Sequence, residues 1–223
     1  MNPRGIKALL LDLDDTLFDD RHATAQGFAA FIGPHAARFA ESDNELLRRW
    51  RGCVARHWHR FEQGELTIEQ QRHERLRDFL NLPHLNDDEA ARLFQPYMDA
   101  YRRHRRLTPG AAAFLDATRH LIRIVVSNGA AEQQRDKLAH LGIDHHFRHV
   151  VTVDEAGAAK PDPRMFRHAL ALENLAPEHC LMVGDDGERD IAPARKLGMA
   201  ACQVSHGSHA AVFEQLSRQL QTA

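Results

Sequence analysis

Five short apolar segments recur along the chain, and most of them are followed by small or acidic residues. They lie at positions 8–11, 121–126, 150–153, 180–183 and 201–204. Segments that are apolar on both faces are typical of strands buried in a parallel sheet, because helices cover both faces of such a sheet. Segments with helical periodicity lie between them, at 110–119, 131–141, 163–175 and 189–197. The alternation predicts an α/β fold with a doubly wound parallel sheet.

The first two predicted strands are separated by a long segment without a strand signal. One crossover needs only about a dozen residues, so we predict that this segment forms a domain of its own. The prediction is an α/β core domain at 1–19 and 107–223, interrupted by an inserted α-helical domain at 20–106. Its helices are predicted at 22–40, 66–80 and 87–105, with a further apolar helix face formed by Leu47, Trp50, Val54, Trp58 and Phe61.

The charge balance limits the partners of this chain. Its formal net charge is -2 at pH 7, whereas a protein that neutralises nucleic-acid phosphates needs a broad field of positive charge. The basic run at 102–106 ends a predicted helix, where cations are usually solvated, so no nucleic-acid partner is predicted. The three cysteines lack metal-ligand spacing, and we find no export or membrane segment. We therefore expect a cytoplasmic monomer or small homo-oligomer without a membrane partner.

Two acidic clusters follow predicted strands. Asp12 and Asp14 follow the first strand, and Asp185, Asp186 and Asp190 follow the fourth. Ligands of open α/β sheets bind beyond the carboxyl ends of the strands, so these carboxylates are expected to converge there. Converging carboxylates need a cation, and oxygen ligands suit Mg²⁺. The pattern predicts a magnesium site of the kind that handles phosphate.

Uncharged and basic groups complete the same predicted edge. Ser127 and Asn128 follow the second strand and offer a hydroxyl and an amide that could hold phosphoryl oxygens. Lys160, one of only four lysines, precedes a helix start in the loop after the third strand. It would supply the positive charge that balances a dianion among aspartates.

These segments resemble, in order and spacing, the four motifs of the haloacid dehalogenase-like (HAD) hydrolase superfamily: DLDDT (12–16), SNG (127–129), KPDP (160–163) and GDDGERD (184–190). The resemblance covers 1–20 and 107–210, and the insert matches the position of the helical C1-type cap of that superfamily. It implies a Rossmann-like core with a cap domain.

The resemblance also implies roles for individual residues. Asp12 matches the nucleophile that takes the phosphoryl group as an aspartyl-phosphate. Asp14 matches the residue that protonates the leaving alcohol and then activates water. Lys160 would neutralise Asp12 and the phosphate. The substrate side would be formed by Thr16, which braces the turn, and by Ser127 and Asn128.

The implied metal ligands come from both acidic clusters. Asp12, the backbone carbonyl of Asp14, and Asp185 would hold Mg²⁺, with Asp190 supporting from behind or through water. The chain departs from the family pattern at Asp186, where relatives commonly have serine. The additional carboxylate leaves open which residue of the 185–186 pair binds the metal.

The second acid of the DLDDT motif separates the chemistries within the superfamily. Haloacid dehalogenases resemble this pattern but lack an aspartate at the position of Asp14, because halide displacement needs neither a protonated alkoxide nor Mg²⁺. The chain is therefore predicted to be an Mg²⁺-dependent phosphomonoesterase acting on a small phosphorylated metabolite. A phosphomutase, which keeps both acids, and a non-catalytic module with this fold stay open.

Substrate choice is expected to lie in the insert. Its segment 58–67, continuing to 73–75, resembles the caps of bacterial pyrimidine-nucleotide 5'-nucleotidases. Arg75 matches an arginine of those caps and is predicted to meet the base or sugar of a nucleotide, the alternative being a solvated helix arginine. The loop 17–21 also resembles phosphatases of flavin-related ribityl phosphates. We predict a nucleoside 5'-monophosphate, with a flavin-related or sugar phosphate as the alternative.

Overall fold

The predicted parallel sheet is present in the computed structural model, which describes residues 5–221 except for the side chains of residues 35, 37 and 38. Its strands in this range are β1 (Ala8–Leu11), β2 (Ile122–Val126), β3 (His149–Val151), β4 (Cys180–Gly184) and β5 (Ala200–Gln203). They pair in parallel in the order β3-β2-β1-β4-β5. The chain moves outward from the central β1 toward one edge and then the other, so the sheet is doubly wound. The predicted fold class is confirmed.

The helices follow a division of the chain into two compact units. One, the sheet unit, comprises the chain up to Asp19 and from Arg106 onward, and the other, the helical unit, comprises Asp20–Arg105. The helical unit contains α1 (Asp20–Ile32), α2 (Asp43–Glu62), α3 (Ile68–Leu80) and α4 (Asp87–Arg103). The sheet unit contains α5 (Ala111–Ala117), α6 (Ala131–His140), α7 (Val153–Ala156), α8 (Pro163–Ala171), α9 (Ala192–Lys196) and α10 (His209–Gln221). Among the described helices, none is long and apolar enough to cross a membrane.

The core of the sheet unit is formed by alternate strand residues. All four residues of β1 are buried, and Leu10 belongs to one apolar cluster with Ile124 of β2 and Met182 of β4. Met165 and Phe166 of α8 complete this cluster. The strands are therefore held by apolar burial on the sheet face that α8 covers, which fixes the positions of the loops at the strand ends.

Strand β3 is shorter than the sequence predicts. The predicted strand runs over 150–153, but β3 ends at Val151 because α7 begins at residue 153. Thr152 caps that helix, and its backbone N–H donates to the Glu155 carboxylate at 3.0 Å. This capping box satisfies backbone donors that the strand would otherwise use.

Two further helices differ from the predictions. The helix predicted at 22–40 ends at Ile32, because Pro34 follows within the first residues of a 3-10 helix and cannot donate a helical hydrogen bond. Helix α10 is missing from the predictions, although its buried apolar residues recur at helical spacing. They are Phe213, Leu216 and Leu220.

The helical unit has an aromatic core around Trp50. The Trp50 side chain is fully buried, and the Phe79 ring of α3 packs edge-on against it at 5.3 Å between centroids. Tyr97 of α4 lies at the same distance from Trp50, 5.3 Å. Both tryptophans of the chain, Trp50 and Trp58, lie on α2, so tryptophan fluorescence reports on this unit alone.

We expect Phe79→Ala to destabilise the helical unit by about 3–5 kcal/mol, because it leaves a cavity against the indole of Trp50. Urea unfolding followed by tryptophan fluorescence measures this as a lower transition midpoint. Leu82→Ala is the matched control, since the Leu82 side chain is 44% exposed and its loss should change stability by less than about 0.5 kcal/mol. Equal midpoints for the two variants would contradict the packing of Phe79 against Trp50.

Candidate active site

The carboxyl edge of the sheet collects the polar residues that follow β1, β2 and β4. Asp12 directly follows β1, and its backbone N–H donates to the Val183 carbonyl of β4 at 2.9 Å. Ser127 directly follows β2, and Asp185 directly follows β4. These residues lie at one edge because the three strands are adjacent and parallel. All belong to the sheet unit.

Lys160 lies at the centre of this group. Its ammonium donates to Asp12 Oδ1 at 2.6 Å, to Asp190 Oδ1 at 2.7 Å and to the Val126 carbonyl at 2.8 Å. These three bonds use all three ammonium protons. The side chains of Lys160, Asp12 and Asp190 are all buried. The two carboxylates are thus tied to one cation that water does not reach.

The charges in this group are not balanced. Burial alone would lower the pKa of Lys160, but the Asp12 and Asp190 carboxylates outweigh it and hold that pKa above its ordinary value. Burial raises the pKa of Asp12, against the attraction of Lys160, and repulsion from Asp190 and Asp185 raises it further. Burial and Asp190 also raise the pKa of Asp185, to about 7. Such shifts indicate a place for further positive charge.

The side-chain oxygens of three aspartates define where a cation fits. Asp12, Asp185 and Asp190 each offer a carboxylate oxygen, and these atoms lie within 4.8 Å of one another. Hard carboxylate oxygens at this spacing suit Mg²⁺. Asp14 does not belong to this side-chain cluster, and its backbone carbonyl stays a predicted ligand.

Asp186, in contrast, is used to start a helix. Its carboxylate accepts the backbone N–H groups of Glu188 at 2.8 Å and Arg189 at 3.0 Å. It thereby caps a single π-helical turn, Gly187–Ile191, that leads into α9. The geometry therefore separates Asp185, which faces the cluster, from Asp186, which caps the backbone.

Gly184 allows Asp190 to approach the strand end. A Cβ atom at Gly184 would lie 2.2 Å from Asp190 Oδ2, which is closer than atoms can pack. The same Asp190 oxygen accepts the backbone N–H of Asp186 at 3.1 Å. The glycine of the GDDGERD segment is thus needed so that Asp190 can reach Lys160.

Thr16 fixes the second oxygen of Asp12. Its hydroxyl donates to Asp12 Oδ2 at 3.0 Å, while Lys160 holds Oδ1. The turn between them passes through Asp15, whose φ of 59° is positive. The carboxylate of Asp12 is therefore oriented by partners on both sides. Thr16 contacts Asp12, and its place on the substrate side stays a prediction.

Asp14 has partners that differ from those of Asp12. Lys137 of α6 donates to Asp14 Oδ1 at 2.5 Å, and Gln134 of the same helix donates to Oδ2 at 2.9 Å. Gln134 also donates to the Ser127 hydroxyl oxygen at 2.6 Å, as does the backbone N–H of Gly129 at 3.2 Å. Within residues 5–221, the Ser127 hydroxyl proton has no acceptor. The two aspartates thus have separate environments only two residues apart.

Sequence reasoning missed Lys137 and Gln134. Both are fully or almost fully buried, although their residue types favour solvent. The signal that could have found Lys137 is its rarity, since the chain has only four lysines. The three-residue spacing of the two side chains places them on one face of α6.

Asn128 holds the backbone of Lys160. Its amide nitrogen donates to the Lys160 carbonyl at 2.9 Å, and its amide oxygen accepts the Lys160 N–H at 2.7 Å. This pair of bonds fixes the start of the loop that carries the ammonium. The structure brings Asn128 to the site, while its predicted contact with substrate stays a prediction.

Arg75 lies in the helical unit, on α3. Its guanidinium carbon lies 4.5 Å from the Phe94 ring centroid, 5.1 Å from that of Trp50 and 5.2 Å from that of Tyr97. The side chain is buried, and its Nε has no hydrogen-bond partner among the described residues. The alternative of a solvated helix arginine is therefore wrong.

The chain is similar in sequence and in fold to known proteins. A family model for haloacid dehalogenase-like hydrolases matches residues 6–198. The chain is 33% identical to the phosphoserine phosphatase of Thermus thermophilus, over 91% of this chain and 90% of that protein. It is 26% identical to the pyrimidine 5'-nucleotidase YjjG of Escherichia coli K12, over 87% and 84% of the two chains. The structure of HAD-hydrolase YfnB from Bacillus subtilis, bound to magnesium, is similar in fold, with a TM-score of 0.75, 22% identity and 90% and 89% coverage.

Proposed function

The chain belongs to the haloacid dehalogenase-like hydrolases, and on this basis we propose that it hydrolyses small phosphate monoesters with Mg²⁺ through an aspartyl-phosphate. The predicted family and enzyme class, a phosphatase, are confirmed by the family model and by relatives named as phosphatases. The metal, the intermediate, the roles of individual residues and the substrate are the proposed part.

One observation carries this proposal: Asp12 and Asp14 have separate partners. Asp12 is held between Lys160 and Thr16, whereas Asp14 is held by Lys137 and Gln134. A nucleophile and an acid-base group need different environments to do different work in one cycle. Displacement of halide would leave Asp14 without a role, so the arrangement supports phosphoryl transfer over dehalogenation.

The reaction begins with Asp12. A carboxylate oxygen of Asp12 attacks phosphorus, the bond from phosphorus to the leaving oxygen breaks, and Asp14 gives its proton to that oxygen. Asp14 then takes a proton from water as the water oxygen attacks phosphorus. The bond between Asp12 and phosphorus breaks, which releases phosphate. Asp12 is then again a carboxylate, and Asp14 is again the protonated acid that begins the cycle.

Other residues stabilise the charge of the transferred group. Lys160 lies against Asp12 and offsets the repulsion between its carboxylate and the phosphoryl oxygens. The hydroxyl of Ser127 is available to donate to one of those oxygens. Mg²⁺ held by Asp12, Asp185, Asp190 and the Asp14 carbonyl would supply the remaining positive charge.

The organic part of the substrate is proposed from the resemblance of the insert and from the named relatives. The insert segment that carries Arg75 resembles nucleotidase caps, and the relative YjjG is named as a pyrimidine 5'-nucleotidase. We propose a pyrimidine nucleoside 5'-monophosphate as the first candidate. O-Phosphoserine is the second, since the relative that matches 91% of this chain is named as a phosphoserine phosphatase. Both are tested by comparing kcat/KM over a panel of phosphate monoesters.

Substitutions of the two aspartates should have different signatures. Asp12→Asn should lower kcat by at least about a thousandfold for every substrate, because an amide cannot attack phosphorus. Asp14→Asn should lower kcat by about a hundredfold or more for alkyl phosphates, and by less for p-nitrophenyl phosphate, whose leaving group needs no proton. Lys137→Met should show the same leaving-group dependence, since Lys137 positions Asp14.

Circular dichroism and thermal melting check that these variants fold. Lys137→Arg keeps a cation next to Asp14 and should therefore recover part of the kcat for alkyl phosphates that Lys137→Met loses. Equal losses for alkyl and nitrophenyl phosphates in Asp14→Asn would contradict its role as the acid. Normal turnover by folded Asp12→Asn would contradict the proposed reaction as a whole.

The metal prediction uses the adjacent aspartates as a matched pair. EDTA should abolish turnover and Mg²⁺ should restore it, whereas Ca²⁺ should not, since it takes more ligands in looser geometry. Asp185→Asn should raise the Mg²⁺ concentration for half-maximal activity by at least about tenfold. Asp186→Asn should leave it nearly unchanged, because asparagine still caps the helical turn. A larger increase for Asp186→Asn than for Asp185→Asn would mean that Asp186, and not Asp185, binds the metal.

Substitution of Arg75 tests substrate selection. Arg75 matches an arginine of the resembled nucleotidase caps, and its buried Nε has no hydrogen-bond partner among the described residues. We therefore propose that its guanidinium binds an acceptor group of the organic part of the substrate. Arg75→Met should raise KM for the preferred substrate by about tenfold, as expected for one lost charge-assisted hydrogen bond. It should leave p-nitrophenyl phosphate kinetics nearly unchanged. Arg92→Ala, an exposed change on α4, is the control, and parallel changes for both substrates would assign Arg75 to packing alone.

A further inference from the structure

The sheet unit has a polar concavity at the edge opposite the carboxyl edge. It has a volume of about 290 Å³ and is formed where the chain enters β2 and β3. Its lining residues are Arg119, His120, Leu121, Ile122, Arg123, His145, His146, Phe147 and Arg148. We call this concavity the basic pocket. Strand β2 has five residues at roughly 3.3 Å each, so the pocket lies about 15 Å from Ser127.

The lining of the basic pocket carries positive charge and no carboxylate. Three arginines and three histidines contribute to it. Arg148 is partly neutralised from outside the lining, because its Nη1 lies 2.8 Å from a Glu173 carboxylate oxygen. Arg119 is exposed and has no ion pair with any carboxylate of the described chain. Two further carboxylates approach the lining from outside it: Asp116 lies 3.9 Å from His146 Nε2 and Asp144 lies 3.9 Å from His145 Nδ1, and both are largely exposed. The charged groups of the lining itself are all basic.

Arg123 is the buried cation of this pocket. Only 8% of the residue is exposed, and its Nη1 donates to the Leu115 carbonyl and to His146 Nδ1, the latter at 3.3 Å. Its Nε is buried without a hydrogen-bond partner in the described part of the chain. Burial lowers the pKa of Arg123, and the Asp116 carboxylate offsets only part of this lowering. A buried guanidinium that is not hydrogen-bonded to a carboxylate is stabilised when an anion binds.

We propose that the basic pocket binds a small dianion: free phosphate, or the phosphate group of a small monoester. A tetrahedral dianion accepts donors from several directions, as the guanidinium and imidazole groups of this pocket present them. The volume exceeds that of phosphate alone and leaves room for a short organic group. The site is separate from the catalytic edge and does not depend on the proposed reaction.

His146 couples this binding to protons. Its Nδ1 accepts from Arg123, so the imidazole is neutral in this arrangement. Burial lowers the pKa of His146, and His145 and Arg123 lower it further, whereas Asp116 raises it. Asp116 lies 3.9 Å from His146 Nε2 on the other side of the ring. Arg148, Arg119 and His120 also line the pocket, and a bound dianion would offset the repulsion that Arg123 and His145 exert on a protonated His146. Binding should therefore take up a proton and tighten as pH falls.

Calorimetric titration of the full chain with sulfate, after divalent metals have been removed on a chelating resin, tests the proposal. Sulfate keeps both negative charges between about pH 8 and about pH 6, so a pH effect belongs to the protein. Without a cation, the carboxylates of Asp12, Asp185 and Asp190 repel sulfate from the catalytic edge. We expect one site, with affinity that rises toward pH 6 and proton uptake measured from buffers of different ionisation enthalpy.

Two double variants with the same charge change give the decisive comparison. Arg119→Gln with Arg148→Gln should weaken sulfate binding by about tenfold, as expected for two adjacent charges lost. Arg167→Gln with Lys196→Gln, both exposed residues of the sheet unit, should change it by less than about twofold. Arg123→Lys, which keeps the charge but loses the planar fork, should also weaken binding.

Phosphate and glycerol phosphate are then titrated in place of sulfate. Tighter binding of phosphate would identify the ligand as free phosphate, and tighter binding of glycerol phosphate would identify it as a small phosphate monoester. Equal weakening by both double variants would overturn the proposal, because binding would follow net charge alone. So would the absence of any saturable site, or a short RNA that binds more tightly through the same residues.

Discussion

The ammonium of Lys160 is the interaction on which the site depends. It joins Asp12 after β1 to Asp190 beyond β4, and its third bond goes to the Val126 carbonyl of β2. Three adjacent strands are thereby tied at their carboxyl ends by one buried cation. Buried carboxylates without such a partner would repel each other and neutralise by taking up protons. Asn128 secures this cation from behind by binding the Lys160 backbone.

The remaining negative charge explains the rest of the site. One ammonium cannot balance Asp12, Asp185 and Asp190, which is why burial and mutual repulsion raise the pKa of Asp12 and of Asp185. A divalent cation fits this deficit. Asp14 stands apart, since Lys137 provides its own counter-charge. The same sheet unit thus carries excess negative charge at its carboxyl edge and a lining of basic residues in the basic pocket at the other edge.

Much of the fold follows from local patterns, and its departures have local causes. The strands could be predicted because each lies in a short, mostly apolar segment, although β2 carries Arg123 and β5 ends at Gln203. β3 stops early because Thr152 caps α7, and the first predicted helix stops at Ile32 because Pro34 follows. These are competitions between a strand or helix and a cap or a proline, which apolar periodicity alone does not resolve.

The sequence by itself determined which residues follow the strands, and hence that Asp12, Lys160 and Asp190 are candidates for one site. The tertiary structure alone decided their partners. Lys137 meets Asp14 across 123 positions of the chain, so no local spacing predicts the bond. The structure also gave the adjacent aspartates different contacts, with the Asp186 carboxylate accepting backbone N–H groups of a helical turn. Side-chain partners depend on how distant elements pack, whereas strand ends are set by the local apolar pattern.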